Sequence, residues 1–307
     1  MHRFAVATAC ATFVLLLVGG VVHATGSGMA CPESSLVPLP LCSGQLVPVM
    51  QGKVLIEHGH RLYASTVGLM AVVLAVLAWQ QRKADAMLAK AAIGAVPWFL
   101  FQGWLGRLTV VHNLPPIVSI LHLASSMGLF SLVVFLAVRS APRRSQSKIS
   151  NGLNRLTAIT ALTVFLQLVL GATVRHYAAG LACLDFPFCG GAIWPTDGPL
   201  SERIHMTHRI TAVGVGCLVL TQAFLLARRS ELAVGLRLLA VGSAVLVLTQ
   251  IGLGVLSVSA LLDPLIVTAH LGNGALLLGS TWLLFLCTRA THASISPHAP
   301  VLMTGEA

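Results

Sequence analysis

Apolar residues run almost unbroken through eight stretches of the chain, at about 4–22, 62–79, 91–111, 117–138, 156–174, 207–227, 238–259 and 265–287. Each has roughly the 20 residues that a helix needs to cross the hydrocarbon core of a bilayer. The pattern predicts eight transmembrane helices, with His60-Arg61 opening the second and His208-Arg209 opening the sixth. Composition agrees, since 56% of the 307 residues are hydrophobic and 9% are charged, against roughly a quarter charged in a soluble domain. A soluble fold is excluded, and an all-α integral membrane protein leaves no room for a large soluble domain.

Charge sets the orientation. Arg3, Arg82, Lys83, Lys90, Arg139, Arg143, Arg144, Lys148, Arg155, Arg228, Arg229, Arg237 and Arg289 account for thirteen of the nineteen basic residues, and all fall on one side of the eight spans. By the positive-inside rule that side is cytoplasmic, so both termini are cytoplasmic in a cell (inner) membrane. Glu33, Glu57, Asp185, Asp197, Glu202 and Asp263 lie in or beside the outward loops at about 23–61, 112–116, 175–206 and 260–264. The net charge of +10 therefore reports topology, not nucleic-acid binding. Arg3, the first apolar run and Val22-His23-Ala24 also resemble a cleaved signal peptide, but residues 19–31 match an internal helix end, which retains the first helix.

That match belongs to an internal repeat. His60 and His208 are 148 residues apart, as are His122 and His270, Gln102 and Gln250, Gly106 and Gly254, and Pro116 and Pro264. Upstream, Gly19, Gly28, Ala30 and Cys31 align with Gly171, Gly180, Ala182 and Cys183 at an offset of 152. Residues 1–149 and 150–307 thus read as two tandem pseudo-symmetric four-helix bundles. Four being even, the halves share one orientation about an axis along the membrane normal.

A histidine in an apolar helix is costly unless it faces the bundle interior and finds a partner. Four occur here as two pairs at similar depth, and facing helices commonly supply cofactor ligands to a bundle core. Two neutral imidazoles on opposite sides suit a low-spin heme iron, with hydrogen-bonded core histidines as the bland reading. Gly68, Ala124, Gly214, Gly216, Gly272 and Gly274 would give a flat macrocycle room, although glycine also serves plain helix contacts. Arg61 and Arg209 read equally as propionate partners or as snorkelling helix-end cations. Of the other histidines near the outer face, His23, His58, His112, His176 and His205, most are expected to be solvated.

Cys10, Cys217 and Cys287 fall in apolar helices and are expected to pack as small hydrophobes. Cys31 and Cys42 share the first outward loop, and Cys183 and Cys189 the third. Facing an oxidising compartment without metal-ligand spacing, both pairs read as disulfides. Cys183–Cys189 is expected to be a staple, whereas a redox role for Cys31–Cys42 stays open. Glu57 lies one helical turn before His60, and its repeat partner is His205. A non-duplicated acid beside duplicated ligands suits proton chemistry in one half, and a carboxylate placed for the helix dipole explains it equally.

Together these residues resemble the heme A synthase family. The likeness rests on Glu57-x-x-His60-Arg61, His122, His208-Arg209 and His270, and on Gln167-x-x-Leu170-Gly171-Ala172 leading into Cys183-x-Asp185-x-Pro187-x-Cys189. It covers about residues 4–287. The resemblance implies an eight-helix enzyme that oxidises the C8 methyl of heme O to the formyl group of heme A through hydroxylated intermediates. It further implies a heme b cofactor on His208 and His270, substrate heme O on His60 and His122, and Glu57 as the acid/base. Heme O synthase and terminal oxidase assembly factors are the implied partners, with membrane lipid around the chain. Oligomeric state stays open, a homo-oligomer included. The eleven-residue separation of Cys31 and Cys42 is longer than the family pattern.

Two other readings use the same residues. A bis-His diheme cytochrome for electron or quinol transfer needs the same four ligands. A transporter is disfavoured because the embedded polar residues cluster at the outer face and no acidic relay crosses the midplane.

Overall fold

The computed structural model describes residues 1–32, 39–142 and 150–290. Glu33, the inward cations Arg143, Arg144 and Lys148, and the tail histidines His292 and His298 lie outside the described residues. Among those described there are eight helices: α1 (His2–Ala24), α2 (Gly52–Gln80), α3 (Ala86–Val111), α4 (Pro116–Arg139), α5 (Asn151–His176), α6 (Leu200–Ala227), α7 (Val234–Ser259) and α8 (Pro264–Ala290). All eight are long and apolar enough to cross a membrane. The chain is a multi-pass, all-α membrane protein.

Helices α1–α4 close a ring in which each packs on the next and α1 packs on α4; α5–α8 do the same. The rings meet where α1 and α4 face α8 and where α4 faces α5. Trp282 of α8 donates from Nε1 to the Ser131 carbonyl of α4 across that seam, at 2.8 Å. A shared core of Leu16, Met127, Phe130, Val164, Leu277 and Leu278 fills it. Toward the termini, the first ring is shut by Leu74, Leu88, Leu136 and small alanines, and the second by Leu153, Leu226 and Leu284. The long loops lie at the opposite end, where the polar residues at the starts of α2 and α6 gather.

The two largest departures from the apolar pattern are the starts of α2 and α6. Expected near 62 and 207, they begin at Gly52 and Leu200, so Glu57, His58, His60 and Arg61 ride inside a helix and do not open it. Hydropathy marks where lipid ends. These helices continue because the loops beyond supply hydrogen-bond partners for their polar residues.

The short loops between α3 and α4 and between α7 and α8 are built alike. Asn113 and Leu114, and Leu261 and Leu262, all have φ between 50° and 63°. Left-handed backbone costs a non-glycine residue roughly 1–2 kcal/mol. Here it lets Leu114 N–H return to the Thr109 carbonyl at 2.6 Å and Leu262 N–H to that of Ser257 at 2.8 Å. Pro116 and Pro264 then start the next helix, where a missing N–H costs nothing.

Outward from the rings, Leu69, Leu162, Val213 and Leu238 are exposed to the lipid that solvates such a surface. Cys10 and Cys217 are exposed as well. They do not pack in the core as expected, because in a bilayer a small apolar thiol is as well solvated outside the bundle as within it.

Candidate functional site

The four histidines of the repeat each lie against a glycine of the preceding helix. A Cβ on Gly19 would stand 3.3 Å from His60 Nε2; on Gly106, 3.0 Å from His122 Cε1; on Gly171, 3.2 Å from His208 Cε1; and on Gly254, 3.3 Å from His270 Cε1. An alanine at any of them would press on the ring. Of the glycines expected to leave room for a macrocycle, Gly272 and Gly274 admit Leu17 and Leu168 at a helix contact, whereas Gly68 and Gly214 have open space beside them.

Three of the rings are also held by a glutamine one turn before the glycine. Gln102 Nε2 lies 3.1 Å from His122 Nδ1 and donates to the His122 carbonyl at 2.8 Å. Gln167 Nε2 lies 3.0 Å from His208 Nδ1 and donates to the His208 carbonyl at 2.8 Å, while its Oε1 accepts from Thr211 at 2.7 Å. Gln250 Nε2 lies 3.2 Å from His270 Nε2, and its Oε1 accepts from Asn273 at 2.7 Å. At the matching place before Gly19 stands Leu15, and no hydrogen bond to the His60 ring is present among the described residues.

Such seats fit a metal-bound imidazole. The His270 Nδ1 and Gln102 Oε1 atoms are buried without partners, an expense explained if a bound group completes them. A ligating histidine also needs an outer group to fix its ring and tautomer, and a carboxamide carries both a donor and an acceptor.

Glu57 is buried under the first disulfide loop. Its Oε2 accepts from Cys31 N–H at 2.7 Å and its Oε1 from Arg61 Nη2 at 2.5 Å. Arg61 also donates to the carbonyls of Cys31, at 2.7 Å, and Leu41. In the other half, Cys183 N–H reaches His205 Nδ1 at 3.4 Å and Arg209 Nε reaches His205 Nε2 at 3.2 Å. Arg209 then donates to the carbonyls of Cys183 (2.6 Å), Asp185 (2.7 Å) and Phe188 (2.9 Å). Both arginines are therefore loop clamps, a role that sequence did not indicate.

Cys31–Cys42 and Cys183–Cys189 are disulfide-bonded. Each is followed by a tight hairpin whose two central residues are left-handed, Ser43-Gly44 and Gly190-Gly191, the twist a two-residue turn requires. Asp185 accepts from the N–H groups of Gly190 and Gly191, both at 3.1 Å, and these bonds hold its carboxyl below the ordinary aspartate range.

His58 and His205 are not solvated as expected; they are 1% and 4% exposed. The loops fold back over them, and His58 Nε2 bonds the Leu46 carbonyl at 2.9 Å. His112 is exposed. His23 and His176 meet edge to face, their ring centroids 4.9 Å apart.

The profile of a family described as cytochrome oxidase assembly protein matches residues 2–282. The chain belongs to that family. Among its relatives, a protein named heme A synthase from Symbiobacterium thermophilum is 31% identical over 284 residues, 89% of this chain and 90% of the relative. Another so named, from Alkalihalophilus pseudofirmus, is 31% identical over 220 residues, 68% of this chain and 72% of the relative. A third, from Shouchella clausii, is 30% identical over 226 residues, covering 72% and 74%. The likeness to heme A synthases read from the sequence is thus matched by relatives of that name and by a family profile that spans nearly the whole chain.

Proposed function

We propose that this chain is a heme A synthase: it oxidises the C8 methyl of heme O, its substrate, to a formyl group. The observation that carries the reading is a contrast between the halves. Both present a histidine pair seated on glycines, but only the first places a carboxylate, Glu57, three residues before its histidine; the second has His205. Duplicated seats with one acid suit one site for chemistry and one for a resident cofactor.

On this reading His60 and His122 hold the substrate. His208 and His270, on rings steadied by Gln167 and Gln250, hold a heme b. A resident heme there supplies one-electron acceptance. Taking R–CH3 to R–CHO with water as the oxygen source releases four protons and four electrons; the electrons pass on to an external acceptor, and a positioned carboxylate accepts protons with a contribution of typically 10²–10⁴-fold. Glu57 does this beside the substrate, and Arg61 keeps it in place. The termini face the cytoplasm, so the sites lie near the outer face of the cell membrane. Residues 1–149 form the substrate half and 150–307 the cofactor half. Propionate contacts by Arg61 and Arg209 would be additional to the loop carbonyls these side chains already bind.

The test is Glu57→Gln, which keeps the shape and one acceptor but cannot ionise. Heme extraction from cells that also make heme O is expected to show heme b retained and heme A lost or stalled at the hydroxylated stage. Undiminished heme A would remove Glu57 from the mechanism. Stable heme b alone, with no heme A even in the unaltered chain, would favour the electron-transfer cytochrome.

A further inference from the structure

Four equivalent seats hold the four histidines, and one seat is incomplete. Gly19, Gly106, Gly171 and Gly254 all meet their rings at 3.0–3.3 Å. Four residues earlier the sequence has Gln102, Gln167 and Gln250, each bonded to its ring, and Leu15. Leucine is no wider than glutamine but has neither donor nor acceptor, so the His60 imidazole rests against a glycine without being oriented. Both rings of the second half are held; in the first half only His122 is.

We infer that this missing carboxamide makes His60 the releasing ligand, so that the first half exchanges its heme while the second keeps its own. The inference rests on the reading of His60 and His122 as a heme site. An imidazole that nothing orients gives up rotamer freedom when it ligates. Removal of an outer partner typically costs 10–100-fold in metal affinity. A site that admits a substrate and discharges a product on every turnover gains from one weak ligand, because product release often limits such enzymes. A permanent cofactor gains from two strong ones. Leu15, Gln102, Gln167 and Gln250 are in this sense positioning residues, which act through the histidines they do or do not touch.

The experiment follows heme loss from the full-length purified protein. With both sites filled by ferric protoheme as the probe, transfer to excess apomyoglobin is expected in two phases, the fast one from the first half. Leu15→Gln supplies the missing carboxamide and should slow the fast phase by roughly 10–100-fold while leaving the slow phase alone. Gln167→Leu should speed the slow phase by a similar factor and leave the fast one. A merely structural effect would not confine itself to one phase. If Leu15→Gln binds the probe with a low-spin spectrum and the fast phase does not move, the inference is overturned. If that variant does not fold, shown by loss of the slow-phase heme, Gln102→Leu decides: it should speed the fast phase alone, and an unchanged rate overturns the inference. An unaltered chain that takes up only one heme in excess protoheme would instead remove the first site, and the proposed function with it.

Discussion

The two disulfide loops are each clamped by an arginine at the equivalent position of the repeat, Arg61 or Arg209, and differ in what lies beneath it. Arg61 bonds a carboxylate that is 3% exposed, and Arg209 bonds a histidine that is 4% exposed. In both loops the arginine gathers the carbonyl of the first cysteine and that of the residue before the second. The loop architecture is common to both halves, and at residue 57 a carboxylate in the first stands where the second has a histidine. A duplicated scaffold with few altered side chains, Glu57 against His205 and Leu15 against Gln167, gives two sites of different character from the same fold.

The comparison breaks most sharply if residue 57 is made to match its counterpart. Glu57→His should lower heme A formation by about 10²–10⁴-fold while the heme b proposed for His208 and His270 is retained. His205→Glu should confer no second active site, because Gln167 and Gln250 keep both histidine rings of that half in place. Heme A extracted at the normal level from Glu57→His would show that the acid is a structural partner of Arg61 and nothing more.

Removing the clamp separates the halves by stability. Arg61→Ala strands a buried carboxylate, which typically costs about 3–5 kcal/mol. Arg209→Ala leaves a neutral-capable imidazole and forfeits hydrogen bonds to carbonyls, each charge-assisted bond being about 1.5–3 kcal/mol. Thermal unfolding in detergent should therefore rank Arg61→Ala below Arg209→Ala. Adding Glu57→Gln should restore part of the first loss, whereas His205→Gln should restore none of the second. Equal losses, unaffected by the second change, would mean that the charge of Glu57 is not what distinguishes the loops.

Much of this was readable from the sequence. Apolar run length gave eight helices, and the 148-residue offset paired His60 with His208 and His122 with His270 before their glycine seats were known. Helix starts at 52 and 200 were missed because hydropathy stops at the lipid boundary, while Glu57, His58 and His205 are buried by loops, not lipid. The same blindness left His58 and His205 expected in solvent. Gln102 and Gln250 were visible as repeat positions, but their contact with a histidine on another helix is a tertiary fact. The signal that would have found it is Gln-x-x-x-Gly in α3, α5 and α7, set against Leu15-x-x-x-Gly19 in α1.

The disulfides offer a smaller contrast. Closing a loop of this size typically contributes about 2–4 kcal/mol through the unfolded chain. Cys31–Cys42 spans 11 residues and Cys183–Cys189 spans 6, so the first should contribute more by only about 0.5 kcal/mol on a logarithmic dependence. Paired Cys→Ala variants should therefore lose nearly equal stability but unequal activity, since only the first loop holds Glu57 through Cys31 N–H. Mass spectrometry showing all four thiols free after oxidising isolation would undo the comparison. Equal activity losses would detach the Cys31 bond from the role of Glu57.

The smallest effect concerns pH and the second loop. Hydrogen bonds from Gly191 and Gly190 hold the Asp185 carboxyl below its ordinary range, so the ionised form is favoured in the folded loop. Whatever order this lends is complete above the unfolded aspartate value of about 3.9 and is lost as pH falls through the lower, folded value. Asp185 is exposed, so its contribution is local and screened, and the helices should not respond. Reduction of Cys183–Cys189 by a membrane-impermeant phosphine, followed from pH 7 downward, should stay slow past the ordinary aspartate range and then accelerate. Asp185→Asn keeps one acceptor and loses the charge, so its reduction should be faster at neutral pH and free of the acid step. If variant and parent show the same acid onset, the hairpin is held by its backbone turn alone and Asp185 adds nothing to it.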